Sequence, residues 1–266
     1  MLDLYKRHIN YLRISVTDRC NIRCRYCMPE TEVPLLRLNE IITYEEIVEV
    51  IRIAVELGIN KVRLTGGEPL MRKGICDLVA MISDIGGIRD LAMTTNGVLL
   101  EQYAPDLARA GLNRINISLD TLDPEKFKYI TRGGELDDVL RGIESARDAG
   151  LKPIKINSVL SDLLDMKDRS DLEEFCQNQG LGLRFIHQMN LETGKFYPVE
   201  GGRGGQCNKC NRLRLTSNGL VKPCLFDSMG YDIREIGIRR AIKMAVENKP
   251  LHGTLNMTGE FYNIGG

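Results

Sequence analysis

Strand-like and helix-like stretches alternate along most of this sequence, and no other feature limits its fold as strongly. Stretches rich in β-branched and aliphatic residues read as six strands, at 11–17, 61–65, 90–95, 113–119, 153–159 and 183–187. Amphipathic, helix-like stretches lie near 43–58, 75–84, 100–110, 124–130, 136–149 and 168–179. Six β–α units in series predict a parallel sheet with right-handed crossovers.

The strands are polar on one face, which selects among parallel-sheet folds. In the first strand Leu12 and Ile14 share one face, whereas Arg13 and Ser15 share the other. The second, fourth and fifth strands repeat this pattern, and solvated edge positions would explain one such strand but hardly four. A sheet covered by helices on both faces would be apolar throughout. We therefore expect an α/β fold, an incomplete (β/α)6 TIM-type barrel, with a site at the C-terminal ends of its strands.

Composition narrows the class of protein. The chain has 266 residues, of which 43% are hydrophobic, and 36 Lys and Arg balance 36 Asp and Glu. A formal net charge of zero gives no general attraction to nucleic acid. The longest apolar stretches are too short to cross a bilayer, and the N-terminus lacks the pattern of a signal peptide. The sequence thus predicts a cytoplasmic protein with no nucleic-acid or membrane partner.

The character of the chain changes after about residue 190. A glycine-rich stretch is followed by a second group of cysteines and by a last helical stretch over 233–250. We expect a partial barrel over residues 1–190 and a smaller C-terminal domain over 191–266, which would carry the second cysteine group and bind substrate.

The eight cysteines point to inorganic ligands rather than disulfides, because the cytoplasm keeps thiols reduced. Six of them form two closely spaced sets. Cys76 and Cys176 stand alone on helical patterns and are expected to be small apolar packing residues.

The first set, Cys20, Cys24 and Cys27, directly follows the first strand with the spacing C-x3-C-x2-C. Three thiolates can bind three irons of a [4Fe–4S] cube and leave the fourth iron without a protein ligand. An open coordination position is typical of a catalytic metal site. Zinc is disfavoured because no fourth Cys or His lies nearby.

With these cysteines the chain resembles the radical S-adenosylmethionine (SAM) superfamily. Gly66-Gly67-Glu68-Pro69, after the second strand, resembles the superfamily's GGEP motif, which binds the amino group of SAM's methionine part. The resemblance implies that one electron from the cluster cleaves a C–S bond of SAM and that the resulting radical abstracts hydrogen from a substrate. It implies SAM contacts from Tyr26, Gly66, Gly67, Glu68, Thr94, Thr95, Asn96 and Ser118.

The second set consists of Cys207, Cys210 and Cys224. A C-x2-C pair is generic, so the spacing by itself leaves zinc and an iron–sulfur cluster open. No fourth Cys or obvious His follows in this segment, which favours a second cluster with an open iron. Arg212 and Arg214 follow at i and i+2, on one face of an extended segment.

Cations gather on the predicted strands. Arg13, Lys61, Arg63 and Lys155 belong to the polar, inward faces, and Arg184 lies on the last strand. Several cations that face one lumen are costly without a counter-anion. A triphosphate is a natural one.

Together with the terminal Gly265-Gly266, these features make the whole chain similar to the GTP 3',8-cyclase family, lyases that begin molybdenum cofactor biosynthesis. The resemblance implies two [4Fe–4S] clusters and SAM as cofactors. It implies that C3' of the ribose loses hydrogen and attacks C8 of guanine, giving 3',8-cyclo-7,8-dihydroguanosine 5'-triphosphate. The second cluster would bind the guanine.

Residue roles also follow from this resemblance. Catalytic roles are implied for Cys20, Cys24, Cys27, Arg13, Gly265 and Gly266, with the Gly-Gly tail reaching into the site. Substrate contacts are implied for Arg13, Lys61, Arg63, Lys155, Arg184, Arg212 and Arg214. The implied partners are GTP, SAM, an electron donor of the flavodoxin or ferredoxin type and a downstream cyclic pyranopterin monophosphate synthase. A homodimer is compatible with the resemblance.

One segment departs from the family pattern. Between the last barrel strand and the second cysteine set the chain has only Asn190 to Gln206, where the family has a considerably longer segment. This favours an alternative, a radical SAM paralogue with an auxiliary cluster that modifies a peptide, a protein or another substrate. A non-catalytic metal-binding protein is disfavoured by the GGEP motif and the polar lumen.

Overall fold

The computed structural model describes residues 1–28, 34–190, 193–202 and 204–255. Its strands are β1 (Tyr11–Ser15), β2 (Lys61–Thr65), β3 (Asp90–Thr95), β4 (Arg114–Ser118), β5 (Ile154–Leu160), β6 (Gly182–His187), β7 (Arg212–Leu215), β8 (Leu220–Lys222) and β9 (Tyr231–Asp232). Its helices are α1 (Tyr44–Glu56), α2 (Ile75–Ser83), α3 (Leu100–Arg109), α4 (Pro124–Thr131), α5 (Leu136–Asp148), α6 (Met166–Gln179), α7 (Ile233–Ile236) and α8 (Ile238–Glu247).

All nine strands form one sheet in the order β6-β5-β4-β3-β2-β1-β7-β8-β9. Strands β1 to β6 are parallel neighbours in sequence order, as β–α units in series predict. Strand β7 pairs in parallel with the other side of β1, and β8 and β9 follow antiparallel. The predicted partial (β/α)6 barrel is confirmed, and the C-terminal part of the chain continues its sheet.

Local signals explain where several helices begin and end. Thr43 and Glu46 form a reciprocal capping box at the start of α1, and Asp165 and Asp168 form another at α6. The prediction of a single last helix over 233–250 is wrong. Gly237 adopts a φ of 81°, a left-handed conformation that glycine tolerates, and this ends α7 before α8 begins.

The apolar faces of the strands pack against the helices. Leu12, Ile14, Val62 and Leu64 are buried in one continuous core, which also includes Leu213 of β7. The opposite, polar faces line a lumen, as predicted. Among the helices of the described ranges none is long and apolar enough to cross a membrane. The predicted tail residues Gly265 and Gly266 lie outside the described residues.

Candidate active site

One cavity of about 820 Å³ occupies the lumen, and it collects most of the residues singled out from the sequence. Both cysteine sets line it, as do the predicted cations and all but one of the predicted SAM contacts that the structure describes. These lining residues are Arg13, Cys20, Cys24, Tyr26, Cys27, Lys61, Arg63, Gly66, Gly67, Thr94, Thr95, Asn96, Ser118, Lys155, Arg184, Cys207, Cys210, Arg212, Arg214 and Cys224.

Strand register places the two cysteine sets at opposite ends of the lumen. The first set follows β1, at the C-terminal ends of the parallel strands. Cys210 lies just before β7, which runs parallel to β1, and Cys224 just after the antiparallel β8, so both belong at the N-terminal end. The cavity therefore connects a three-thiol site at either end.

Three of the cations form a row across neighbouring strands. Arg214, Arg13 and Arg63 pair in register across β7, β1 and β2, so their side chains lie side by side on the polar face. Burial and the neighbouring Arg214 lower the pKa of Arg13, and burial, with Arg212 beside it, lowers the pKa of Arg214 to about 10. These shifts indicate that the buried positive charges repel one another and that a bound anion would stabilise them.

Arg63 and Arg184 each have a buried donor without a partner in the described part of the chain. The Nε atoms of Arg63 and Arg184 are buried and find no hydrogen-bond acceptor among the described residues. The guanidinium of Arg63 lies over the ring of Tyr11, 5.6 Å from its centroid, and burial lowers its pKa. Unsatisfied buried donors are rare in proteins, so both groups are suited to receive an anionic ligand.

The sequence did not single out Asp90 and Arg114, which also line the cavity. They form a bidentate ion pair, with both nitrogen–oxygen distances 2.7 Å. Each residue begins a strand, on the same polar face as the predicted cations. Extending the alternation to the first residue of each strand would have found them.

The cysteine loop after β1 is stabilised by its own backbone. Cys27 and Met28 donate their N–H groups to the carbonyl of Cys24, at 3.0 and 2.9 Å. Burial, with Glu68 and Cys27 nearby, raises the pKa of Cys20 to about 11. Burial, with Asp120 nearby, raises the pKa of Cys24 even further, and burial raises that of Cys27. Thiolates in such a place need a bound cation, and iron would supply one.

The two glycines of GGEP are required by close packing against this loop. A Cβ on Gly66, whose φ is 151°, would lie 2.5 Å from the carbonyl oxygen of Thr17. A Cβ on Gly67 would collide with the carbonyl of Arg19. The N–H groups of Gly67 and Glu68 donate to those same two carbonyls, both at 2.8 Å. Glycine here lets the backbone of one loop rest directly on that of the other.

Glu68 differs from the other predicted SAM contacts, because it is fully buried and does not line the cavity. Its carboxylate accepts hydrogen bonds from Leu70 N at 3.0 Å, Thr95 Oγ1 at 2.8 Å and Asn96 N at 2.6 Å. Burial raises its pKa to about 7. The observed role of Glu68 is to hold the loop after β3, whose Asn96 amide lies 3.7 Å from Cys20 Sγ. Its contact with SAM stays a prediction.

Asp120 is a cavity residue that the sequence reasoning missed. It is 5% exposed, and its two carboxylate oxygens accept hydrogen bonds from Tyr26 Oη and Val159 N, both at 2.7 Å. Burial raises its pKa to about 6. Its position two residues after Ser118, on the polar face, was the available signal.

The second cysteine set has cations around it. Burial would raise the pKa of Cys210, but Lys249 and Arg212 outweigh burial and lower it to about 7. Lys249 was not predicted from the sequence. Nowhere in the described ranges do three Cys, His, Asp or Glu side chains converge enough to hold a single metal ion.

The short segment before the second set forms a wall of the cavity. Glu200 exchanges backbone hydrogen bonds with Phe185, at 3.2 and 3.0 Å, and thereby covers the free edge of β6. A Cβ on Gly201, whose φ is 69°, would lie 2.5 Å from the carbonyl oxygen of Leu183. Phe196 and Tyr197 line the cavity from this wall.

The sequence of this chain is similar to those of known proteins. The family model of the radical SAM superfamily matches residues 14–176. The chain is 41% identical to the GTP 3',8-cyclase of Peptoclostridium acidaminophilum over 320 aligned positions, which cover 100% of this chain and 98% of that protein. About 54 of those positions therefore have no counterpart among the 266 residues. The GTP 3',8-cyclase of Thermodesulfovibrio yellowstonii is 41% identical over 89% of this chain and 88% of its own length.

Solved structures agree with the fold. SuiB of Streptococcus suis, bound to its precursor peptide SuiA, superposes with a TM-score of 0.72 at 17% identity, over 93% of this chain and 66% of that one. The protein anSMEcpe with bound AdoMet superposes with a TM-score of 0.54 at 16% identity, over 70% and 53%. At such low identity the likeness concerns the fold alone. The full-length sequence similarity is more specific, and by it the chain belongs to the GTP 3',8-cyclase family of the radical SAM superfamily.

Proposed function

We propose that this chain converts GTP to 3',8-cyclo-7,8-dihydroguanosine 5'-triphosphate, the first step of molybdenum cofactor biosynthesis. The observation that carries the proposal is one cavity lined at its two ends by three cysteines each and, in the same lumen, by at least seven cations. Similarity to GTP 3',8-cyclases along the whole chain supports the same reaction.

As a radical SAM protein, the chain uses a [4Fe–4S] cluster and SAM, which together supply a carbon radical able to abstract hydrogen. Cys20, Cys24 and Cys27 would hold three irons of this cluster. The backbone of Gly66 and Gly67 and the polar ends of β3 and β4 would hold SAM beside it. The buried carboxylate of Glu68 contributes by fixing Thr95 and Asn96, because it accepts a hydrogen bond from each.

The cations would bind the triphosphate. Two adjacent pairs of strands carry these cations, β1 with β2 and β5 with β6: Arg13, Lys61, Arg63, Lys155 and Arg184. The free Nε donors of Arg63 and Arg184 would supply two hydrogen bonds. Arginine forks match phosphate oxygens in geometry and charge. Arg212 and Arg214 would contact the substrate and the tail.

A second [4Fe–4S] cluster on Cys207, Cys210 and Cys224 would bind the guanine through its open iron. Its support is the donor set of three thiols that line one end of the cavity, together with the cationic surroundings. Anaerobically purified protein is then expected to hold about eight irons and little zinc, in line with two cubes. Four irons and one zinc would refute the second cluster and leave the first intact.

The remaining assignments concern organisation and partners. Residues 1–190 would provide the radical site, and 191–266 the auxiliary cluster and the substrate contacts. The reductant would be of the flavodoxin or ferredoxin type, and the product would pass to a cyclic pyranopterin monophosphate synthase; a homodimer is compatible with the family resemblance. Gly265 and Gly266 would enter the active site, since residues without side chains can pass closely between bound groups.

The test is anaerobic reconstitution with iron and sulfide, followed by incubation with SAM, dithionite and GTP. The expected products are 5'-deoxyadenosine and the cyclised nucleotide in comparable amounts, identified by mass spectrometry. Cleavage of SAM with no change in GTP would favour the paralogue that modifies a peptide or another substrate.

Truncation tests the tail. Deleting Gly265 and Gly266 should leave iron content and melting temperature nearly unchanged, because terminal residues seldom contribute to stability. Conversion of GTP should nevertheless be lost. Full activity after truncation would remove the tail from the mechanism.

A further inference from the structure

Arg7 joins the N-terminal segment to the C-terminal part of the chain. Its Nε donates to the Asp3 carboxylate at 2.5 Å, and its terminal nitrogens donate to the carbonyls of Cys207 and Pro250, both at 2.7 Å. Two longer bonds reach the carbonyls of Leu251 and Lys249. A guanidinium has five N–H donors, and these contacts use all five. Arg7 is also 7% exposed, so it is a buried and fully satisfied clamp.

Lys249 makes a second connection at the same place. It is 3% exposed, and its Nζ donates to the carbonyls of Arg212 at 2.7 Å and Pro223 at 2.5 Å. Arg212 lies two residues after Cys210, and Pro223 directly precedes Cys224. Lys249 therefore fixes the two segments that carry these cysteines relative to each other.

Burying an ammonium group is costly unless anionic or dipolar groups compensate it. Two carbonyls compensate part of the positive charge of Lys249. The nearby sulfur atoms of Cys210 and Cys224 stabilise the charged ammonium further. An iron–sulfur cube with three thiolates is anionic and gains another negative charge on reduction. A cation beside it stabilises the reduced state more than the oxidised one.

We propose that Arg7 and Lys249 are positioning residues for a cluster on the second cysteine set. Arg7 fixes the turn that contains Cys207, and Lys249 aligns Cys210 with Cys224 and raises the reduction potential of the cluster. This proposal rests on the second cluster proposed above, so its test measures that cluster directly.

The test uses the full chain with Cys20, Cys24 and Cys27 replaced by alanine, so that iron at the second set is measured by itself. Lys249→Met and Arg7→Lys are introduced separately into this parent. After anaerobic reconstitution, iron and sulfide per chain are measured, and the potential is determined by redox titration followed by electron paramagnetic resonance.

Each variant should have its own signature. Lys249→Met should lower the ratio of reduced to oxidised cluster at a given potential about tenfold, a shift of about 59 mV for one electron. Arg7→Lys can keep at most three of the five hydrogen bonds. It should leave the potential near that of the parent but release iron to a chelator several times faster.

Arg72→Met is the matched control. Arg72 is half-buried and donates to the carbonyls of Val16 and Ile42, both at 2.6 Å, away from the second cysteine set. It should change neither the potential nor the rate of iron release. Thermal melting of the iron-free proteins checks that every variant folds, and Lys249→Gln, which keeps a donor without the charge, replaces Lys249→Met if that variant does not.

Two results would overturn different claims. A parent protein that binds no iron, or binds zinc, refutes the second cluster itself. A parent that carries the cluster, together with Lys249 and Arg7 variants that match it in potential and iron release, refutes the positioning role alone.

Discussion

The two cysteine sites are similar in composition but are built in opposite ways. Cys20, Cys24 and Cys27 belong to one loop, whereas Cys207 and Cys210 are joined to Cys224 through a strand hairpin. Carboxylates, from Glu68 and Asp120, act on the first site. Cations, from Lys249, Arg212 and Arg214, act on the second.

This difference in charge indicates a difference in redox behaviour. Nearby carboxylates disfavour the addition of an electron to an anionic cluster, and nearby cations favour it. A cluster at the first site should therefore have the lower reduction potential. A strongly reducing cluster is what SAM cleavage requires, and a less reducing one suits a site that binds and orients a substrate.

The largest effect is expected when one of the two cysteine sets is removed at a time. Replacing Cys20, Cys24 and Cys27 by alanine should abolish SAM cleavage, since no cluster remains to deliver the electron. Replacing Cys207, Cys210 and Cys224 should leave SAM cleavage measurable but eliminate the cyclised nucleotide. Chromatography of 5'-deoxyadenosine and nucleotides decides between these outcomes. Loss of SAM cleavage in both variants would contradict the division of labour.

Arginines next to the second site should show the same separation more weakly. Arg212→Ala or Arg214→Ala should lower cyclisation about 100-fold, as expected for losing charge-assisted hydrogen bonds to the substrate. Uncoupled SAM cleavage should stay within about threefold of the parent, because these arginines lie at the other end of the cavity. Arg239→Ala, which removes a surface ion pair with Glu56, is the control. An equal loss of cyclisation and SAM cleavage would contradict the assignment of these arginines to the substrate.

In the iron-free protein the two sites should also differ in the reactivity of their thiols, because the pKa values of Cys210 and Cys20 differ. Cys210, with a pKa of about 7, is about 90% thiolate at pH 8, whereas Cys20, with a pKa of about 11, is about 0.1% thiolate. The lower nucleophilicity of the more acidic thiol offsets part of this difference. Iodoacetamide should therefore modify Cys210 at least about tenfold faster.

Mass spectrometry of the alkylated peptides measures both rates across pH. The rate at Cys210 should rise between pH 6 and 8 and then level off, because its thiolate forms around pH 7. The rate at Cys20 should still be rising at pH 10. Equal rates, or a faster Cys20, would contradict the electrostatic difference between the sites.

The smallest expected effect comes from Gly253, which packs against the second site. A Cβ there would lie 2.8 Å from Phe226 Cβ and 3.3 Å from Cys224 Sγ. Gly253→Ala should lower the stability by about 1–2 kcal/mol through overpacking and reduce iron retention at the second site a few-fold. Gly86→Ala, where the added Cβ meets nothing within 4 Å, should have neither effect. Melting curves and iron content test both variants, and identical behaviour would contradict the packing.

Local sequence determined the first site and the barrel. The spacing of Cys20, Cys24 and Cys27, the Gly66-Gly67 pair and the alternation along each strand are set by neighbouring residues. A period of two along a strand places side chains on one face whatever the rest of the chain does. For this reason the predicted polar faces match the lumen, and the predicted cations line one cavity.

Tertiary structure decided what depends on distant residues. The carboxylate of Glu68 is buried by the loop after β3, so its observed partners, Thr95 and Asn96, could not be derived from the motif. Arg7 and Cys207 meet across 200 positions, and Lys249 reaches its carbonyl partners from the end of the last helix. No local pattern marks such contacts, because burial and hydrogen bonding are fixed only when the sheet brings both ends of the chain together. The first site could thus be predicted from one loop, whereas the surroundings of the second required the fold.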